Sequence, residues 1–192
     1  ACAPYRRLHL CDKNLEQIEP HKITTHNLLV DVCQAAKFEG QSITRDYPKY
    51  RATYVDSPSE MCTMLARSFA DIGDIVRGKD LYLGNNKKDK LQIKLKEYFK
   101  KIYDDLVQNK EDAETHYEGD DNYYQLREDW WALNRKDVWK ALTCEAYGTY
   151  FRKTCSDDKT ETDKKCQCVN RGDVPTYFDY VPQYLRWFEE WA

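Results

Sequence analysis

The residues best placed to do chemistry in this sequence are lysines, which are concentrated in one predicted helix. Between Lys79 and Lys110 there are nine lysines and five acidic residues, whereas residues 111–129 contain eight acids and one arginine. Lysines spaced around a helix can follow a flexible sulfated polysaccharide as point charges, with an affinity that falls as salt rises. An ordinary solvated helix face is the competing interpretation, because lysine is a common surface residue. The predicted glycan-binding candidates are Lys87, Lys88, Lys90, Lys94, Lys96, Lys100 and Lys101, with Arg6 and Arg7 as further candidates.

No arrangement of side chains in the sequence indicates an enzyme. The four histidines fall in predicted loops or at helix starts, and none belongs to a metal-binding or catalytic motif. Glu189 and Glu190 are adjacent, so on a helix their side chains point about 100° apart and cannot form a paired acid and base. The acidic run over 157–163 lacks the glycine and the final glutamate of an EF-hand loop. We therefore expect no catalytic residue, no metal and no cofactor.

The cysteines indicate an oxidising compartment. There are eight of them, with no CxxC pair, and an even number suits disulfides in an exported protein. Structural zinc is disfavoured because the spacing lacks the paired knuckles of such sites. The chain does not begin with Met and shows no signal-peptide core, so we expect a mature or excised piece of an exported protein.

The overall composition favours a helical protein that does not bind nucleic acid. Only 7 glycines and 6 prolines occur among 192 residues, and 33% of the residues are charged. The net charge of -3 gives no basic signature for nucleic acid. No apolar run approaches the roughly 18 residues of a membrane span. The fold class predicted from these features is all-α.

Apolar spacing predicts the first two helices. One covers 25–38 and ends at Gly40, and a connection over 41–57 follows it. Residues 57–60 read Ser-Pro-Ser-Glu, a capping box that starts the second helix, and Gly78 provides its C-terminal cap. The second helix therefore has predicted signals at both ends.

The lysine helix is predicted over 87–108, with an acidic loop over 110–122 after it. Its apolar face is Leu91, Leu95, Phe99, Ile102 and Leu106. Pro182 is expected to open a short final helix that carries Leu185, Trp187, Phe188 and Trp191.

The helix predicted over 126–150 should form the centre of the core. Apolar residues cover more than half of its circumference, and three of them are tryptophans, each able to bury a large area. We expect Trp130 and Trp131 to pack against the capped helix and the lysine helix. The predicted core residues of this helix are Leu126, Trp130, Trp131, Leu133, Val138, Trp139 and Leu142.

Several long motifs resemble a known family. They are CAPYRRLHLCD at 2–12, SFADIGDIVRG at 68–78, DWW at 129–131 with DVWKALTC at 137–144, and PTYFDYVPQYLRWFEEW at 175–191. In this order they resemble the Duffy-binding-like domain, most closely the α class at the head of the variant erythrocyte membrane proteins of the malaria parasite. The resemblance covers essentially the whole chain.

The resemblance implies a disulfide-linked helical bundle with long irregular loops. Residues 1–56 would be the end of a first subdomain and 57–192 a second, best treated together as one partial domain. It implies an extracellular adhesion domain displayed on the infected erythrocyte and tethered to the membrane only through parts outside this segment. The implied partners are sulfated glycans, blood-group sugars or complement receptor on erythrocytes or endothelium, and binding to them often leads to rosetting. Antibodies are also implied partners, and they drive antigenic variation. On physical grounds alone, a cytokine-like secreted signalling protein remains the alternative, since it also combines long helices with disulfides.

The disulfide pairing is narrowed only partly. We predict that Cys62 is bonded to one of Cys155, Cys166 or Cys168, and that Cys33 is bonded to Cys144. By the resemblance, Cys2 and Cys11 would pair with cysteines upstream; here they either pair with each other or stay free.

Overall fold

The structure is a computed structural model that describes residues 2–19, 25–53, 61–82, 86–148, 155, 165–169 and 173–192. Within these ranges the chain is helical, and its one β feature is an isolated bridge between Gly148 and Lys165. The all-α prediction is confirmed. None of the described helices is long and apolar enough to cross a membrane. The helices are α1 Tyr5–Leu8, α2 Lys13–Glu16, α3 Thr25–Thr53, α4 Met61–Arg77, α5 Asn86–Asn109, α6 Glu111–His116, α7 Tyr124–Leu142 and α8 Gln183–Trp191, with a 3-10 turn at Phe178–Tyr180 before α8.

The tryptophans of α7 form the centre of the core. Trp131 and Trp139 are buried, and each ring centroid lies 5.1 Å from that of Phe69 on α4. Trp130 meets Phe99 of α5 edge to face at 6.1 Å. α7 therefore joins α4 and α5 through these rings, as the sequence predicted.

Helix α3 is longer than predicted. It continues through Gly40 and through the expected connection as far as Thr53. Gly40 lies inside the helix, where its lack of a side chain is required for packing. A Cβ at this position would lie 1.9 Å from the carbonyl oxygen of Leu142. The glycine lets the backbones of α3 and α7 approach each other closely. The boundary predicted between 56 and 57 remains a prediction, although α3 shares one buried core with α4 and α7.

Helix α4 ends as predicted. Gly78 adopts a left-handed conformation (φ 74°), and the next amide, that of Lys79, donates to the carbonyl of Asp74 at 2.8 Å. This is the Schellman arrangement that glycine favours after a helix. The expected capping box at 57–60 lies outside the described residues.

Helix α7 differs from its prediction in two respects. Leu133 is 83% exposed, because the buried face instead includes Arg127 and Arg135. The helix also ends at Leu142 rather than near 150. At this end, the amide and the hydroxyl of Thr143 both donate to the carbonyl of Trp139. The acidic loop contains one short helix, α6.

Residues 166–167 lie beside residues 143–148, which directly follow α7. The amide of Cys166 donates to the carbonyl of Gly148 at 3.0 Å, and the side-chain amide of Gln167 donates to the hydroxyl of Thr143 at 2.7 Å. The two ends of the intervening stretch, 149–164, are therefore held side by side.

Candidate functional site

The inner face of α5 is fixed in the core. Leu91, Leu95, Phe99 and Ile102 are buried, as the periodicity predicted, while Leu106 is partly buried against them. With four apolar anchors on one side, α5 presents its opposite side to solvent in a defined orientation.

The outer face of α5 carries the described lysines. Lys90, Lys96, Lys100 and Lys101 are exposed. The ammonium of Lys96 contacts Oδ1 of Asn122 at 2.8 Å, and that of Lys100 forms an ion pair with Asp104 at 2.6 Å. The hydrogen bond and charge of Asp104 raise the pKa of Lys100. Such solvent-exposed contacts are weak, so a polyanion could replace them.

Three of the predicted lysines stand apart from this set. Lys94 is half-buried, and its ammonium donates to the carbonyl of Glu16 at 2.7 Å, which ties α5 to α2. Lys87 and Lys88 lie in the first turn of α5, but their side chains are outside the described part of the structure.

Arg6 does not belong to the lysine surface. Its guanidinium bonds Glu190 with both Nε and a terminal nitrogen, at 3.0 and 2.8 Å, and lies 2.7 Å from Asp71. Burial lowers the pKa of Arg6, but the two carboxylates more than offset this effect and raise it. A guanidinium held in this way joins α1 to α4 and α8, and the prediction that Arg6 binds glycan is corrected.

Arg7 is buried as well, at 1% exposure, and forms an ion pair with Asp80. Its guanidinium lies 5.0 Å from the centre of the Tyr82 ring. The assignment of Arg7 to the glycan surface is also corrected, because its guanidinium is buried and paired with Asp80, out of reach of a glycan on the surface.

Sequence analysis missed a buried charge network between α4 and α8. Arg186 bonds Asp71 at 2.7 Å and Asp74 at 2.5 Å, and Arg77 bonds Asp74 at 2.9 Å. Burial raises the pKa of Asp74 to about 6, although both arginines act in the opposite direction. A signal was present in the sequence: the residues at 71, 74 and 77 fall on one face of a helix whose other residues are mostly apolar.

A second network connects α7 to the 3-10 turn. Arg135 bonds both oxygens of the buried Asp179, at 2.7 and 2.9 Å, and the indole N–H of Trp131 donates to the same carboxylate at 2.9 Å. Charge-assisted, bidentate pairs of this kind fix geometry as well as contributing energy. The network sets the position of the segment that leads into α8.

Another buried arginine satisfies the C-terminal end of α4. Arg127 donates to the carbonyls of Val76 at 2.6 Å and Ile75 at 3.2 Å. These are among the last carbonyls of a helix, which have no partner inside it. Burial lowers the pKa of Arg127 to about 10, which leaves it charged at neutral pH.

Two disulfides involve the cysteines that lie between α7 and the 3-10 turn. Cys62 is bonded to Cys166, which is one of its three expected partners, with a Cα–Cα distance of 5.4 Å. Cys155 is bonded to Cys168 at 6.1 Å. The first bond fastens the loop after α7 to the start of α4.

The predicted bond between Cys33 and Cys144 is wrong, since both cysteines are free. Gly40 faces Leu142 and Gln41 bonds Glu145, whereas Cys33 lies near Asp137, since burial and then that carboxylate raise the pKa of Cys33. The helices α3 and α7 therefore run in the same direction. Cys144 therefore lies level with residues near 41, roughly two helical turns, or about 10 Å, beyond Cys33. A disulfide requires Cα atoms within about 7 Å. Cys2 and Cys11 are free too and are not bonded to each other.

Metal-binding geometry is absent from the part of the chain that the structure describes. No group of three or more His, Cys, Asp or Glu side chains there could hold a metal ion.

Comparison with known proteins identifies the family. The family model of the Duffy binding domain matches residues 1–186. The chain belongs to this family. A search of curated proteins found no match to this chain.

Solved structures agree with this assignment. The NTS-DBL1α1 domain of Plasmodium falciparum membrane protein 1 (PfEMP1) from the varO strain is 48% identical, with a TM-score of 0.78, over 100% of this chain and 43% of that chain. The varO double domain of NTS-DBL1α and CIDRγ is 49% identical with a TM-score of 0.82, over 100% and 27%. A DBLβ domain of PfEMP1 bound to human ICAM-1 is 32% identical with a TM-score of 0.71, over 97% and 38%. The α class expected from the motifs fits the first two, and the chain spans less than half the length of the structures it matches.

Proposed function

We propose that this Duffy binding domain segment belongs to an extracellular adhesion domain that binds host cell-surface receptors, and that the outer face of α5 binds sulfated glycan. Family membership and the solved complex of a DBLβ domain with ICAM-1 support the adhesive role. The glycan is supported by the structure of α5 itself.

The observation that carries the proposal is the pairing of an anchored inner face with exposed lysines on the outer face. Lys90 and Lys101 are separated by about 16 Å along the helix axis, at 1.5 Å per residue. Charges over this distance can contact successive sulfate groups of one flexible chain. Because lysine acts as a point charge, it does not require a single glycan geometry.

Other receptor classes remain proposals that follow from the family. Blood-group sugars, complement receptor, rosetting, antibody recognition and display on the infected erythrocyte belong to this wider set. The cytokine-like alternative has no observation in its favour now that the family is established.

The test is retention on immobilised heparin with a salt gradient. The variant Lys90→Glu/Lys96→Glu/Lys101→Glu reverses three exposed lysines and spares Lys94, which holds α2. We expect it to elute at much lower salt than the wild type, because repulsion replaces three attractions between lysine and sulfate. Salt then releases the protein readily, since exposed charges are screened over about 8–10 Å. Melting temperature should change little, since surface substitutions shift stability by less than about 0.5 kcal/mol.

The matched control is Lys37→Glu/Lys136→Glu/Lys140→Glu, three exposed lysines on α3 and α7. It alters the net charge by the same amount and should elute close to the wild type. Equal losses in the two variants would mean that heparin responds only to overall charge, and unchanged elution of the α5 variant would leave its lysines as a solvated face.

A further inference from the structure

Beside the lysine surface, three tyrosines line a pocket of about 380 Å³ where α5 meets the α6–α7 connection. The ring of Tyr103 lies between the other two, 6.5 Å from that of Tyr117 and 5.7 Å from that of Tyr123. The hydroxyl of Tyr117 donates to Asp129 at 3.0 Å, which fixes that ring in place. One aromatic wall of the pocket, the ring of Tyr117, is therefore held in position.

Four carboxylates, those of Glu114, Glu118, Asp120 and Asp121, line this pocket. Asp120 is committed to the start of α7, where it accepts from the amides of Tyr124 at 2.8 Å and Gln125 at 2.7 Å. Glu114, Glu118 and Asp121 are exposed, and within the described residues none of them forms an ion pair. The pocket is consequently negative as well as aromatic.

The arrangement of these groups selects the kind of cation. The carboxylates do not converge as metal ligands, since no metal-binding group occurs among the described residues. A guanidinium differs from a metal ion because it is planar and spreads its donors over several ångströms. It can stack on a tyrosine face within about 6 Å of the ring centre while its N–H groups reach carboxylates at the edge. An ammonium lacks the planar surface for such stacking.

We propose that this tyrosine pocket binds an arginine side chain presented by a protein partner. The contact uses other side chains than the glycan surface, although Lys96 of that surface bonds Asn122 beside the pocket, and it has the opposite charge preference. The domain then offers two adjacent contacts, one for a polyanion on α5 and one for a basic protein loop at the α6–α7 connection.

The probe is the peptide acetyl-Gly-Ser-Arg-Ser-Gly-amide, titrated into the isotopically labelled chain while amide shifts around Tyr103 and Tyr123 are followed by NMR. The peptide with citrulline in place of arginine keeps the planar shape but lacks the charge. We expect saturable shifts with arginine and none with citrulline. Glu118→Gln/Asp121→Asn should weaken the arginine peptide by about fivefold or more.

Matched variants separate the pocket from general charge. Glu97→Gln/Asp105→Asn removes the same charge from exposed positions of α5 and should leave the affinity within about twofold. Tyr103→Phe keeps the aromatic face and should bind like the wild type, whereas Tyr103→Leu should not. Equal weakening by both acid pairs, or equal binding by Phe and Leu at 103, would overturn the proposal. Self-association of the chain that Glu118→Gln/Asp121→Asn abolishes would also overturn it, by assigning the pocket to a second copy.

Discussion

Replacing Trp131 by alanine should destabilise the domain more than any surface change. Trp131 is 0% exposed, its ring packs on Phe69, and its N–H supplies one bond to buried Asp179. Truncating a core tryptophan costs about 3–5 kcal/mol. Removing a donor from a buried carboxylate places the expected value near the upper end, even though Arg135 still bonds Asp179. For a domain of this size the melting temperature should fall by about 8–20 °C.

The assay is urea unfolding of the oxidised protein, followed by far-UV circular dichroism. Trp191→Ala is the matched control, because that indole is 55% exposed, donates to the carbonyl of Cys2 and has a ring contact with Tyr5 at 6.4 Å. Its loss should cost less than about 1 kcal/mol. If Trp131→Ala were equally mild, α7 could not be the centre of the core.

Three further outcomes follow from the packing, the cross-link and the buried charges. Gly73→Ala should destabilise by about 1–3 kcal/mol in the same assay, because the new Cβ would lie 2.8 Å from the buried ring of Trp131; unchanged stability would show that the ring can shift. Cys62→Ser opens a bond with a sequence separation of 104 and should cost about 4–5 kcal/mol in the chain-entropy model, so an unaltered thermal melt would contradict it. Burial raises the pKa of Asp74 from 3.8 to about 6, so between these values the folded state binds more protons than the unfolded chain and the contribution of Asp74 to stability falls as pH rises. The stability of the wild type relative to Asp74→Asn should therefore decrease by about 2–3 kcal/mol from pH 4 to pH 7, and a difference that stays constant would refute the shift.

Sequence periodicity was sufficient for elements whose buried face is apolar. The apolar spacing of the second predicted helix is met in α4, where Met61, Leu65, Phe69, Ile72 and Val76 are buried. The lysine helix begins and ends within one residue of its prediction. The left-handed glycine after α4 was predictable for the same reason: the signal lies within a few neighbouring residues.

Features that depend on contacts between distant segments were not predictable from local patterns. Gly40 resembles a helix stop until the backbone of α7 is placed against it, and Arg127 and Arg135 resemble surface residues until their partners are known. The same limitation applies to the candidate glycan surface. Arginines 6 and 7 were assigned to it by charge alone, and only the fold shows their carboxylate partners.

The junction between Gly148 and Cys166 separates residues whose sequence is constrained by the core from residues whose sequence can vary. Because Gly148 and Cys166 are hydrogen-bonded to each other, Cys166 is bonded to Cys62 and Cys155 is bonded to Cys168, the stretch 149–164 is fastened at its two ends and at Cys155. Doubling the length of a flexible loop whose ends are fixed adds only about 0.6 kcal/mol of closure entropy. Insertions, deletions and substitutions between Cys155 and either end of that stretch should therefore accumulate across related sequences at little thermodynamic cost, while Cys155 and the residues on either side of the junction stay constrained.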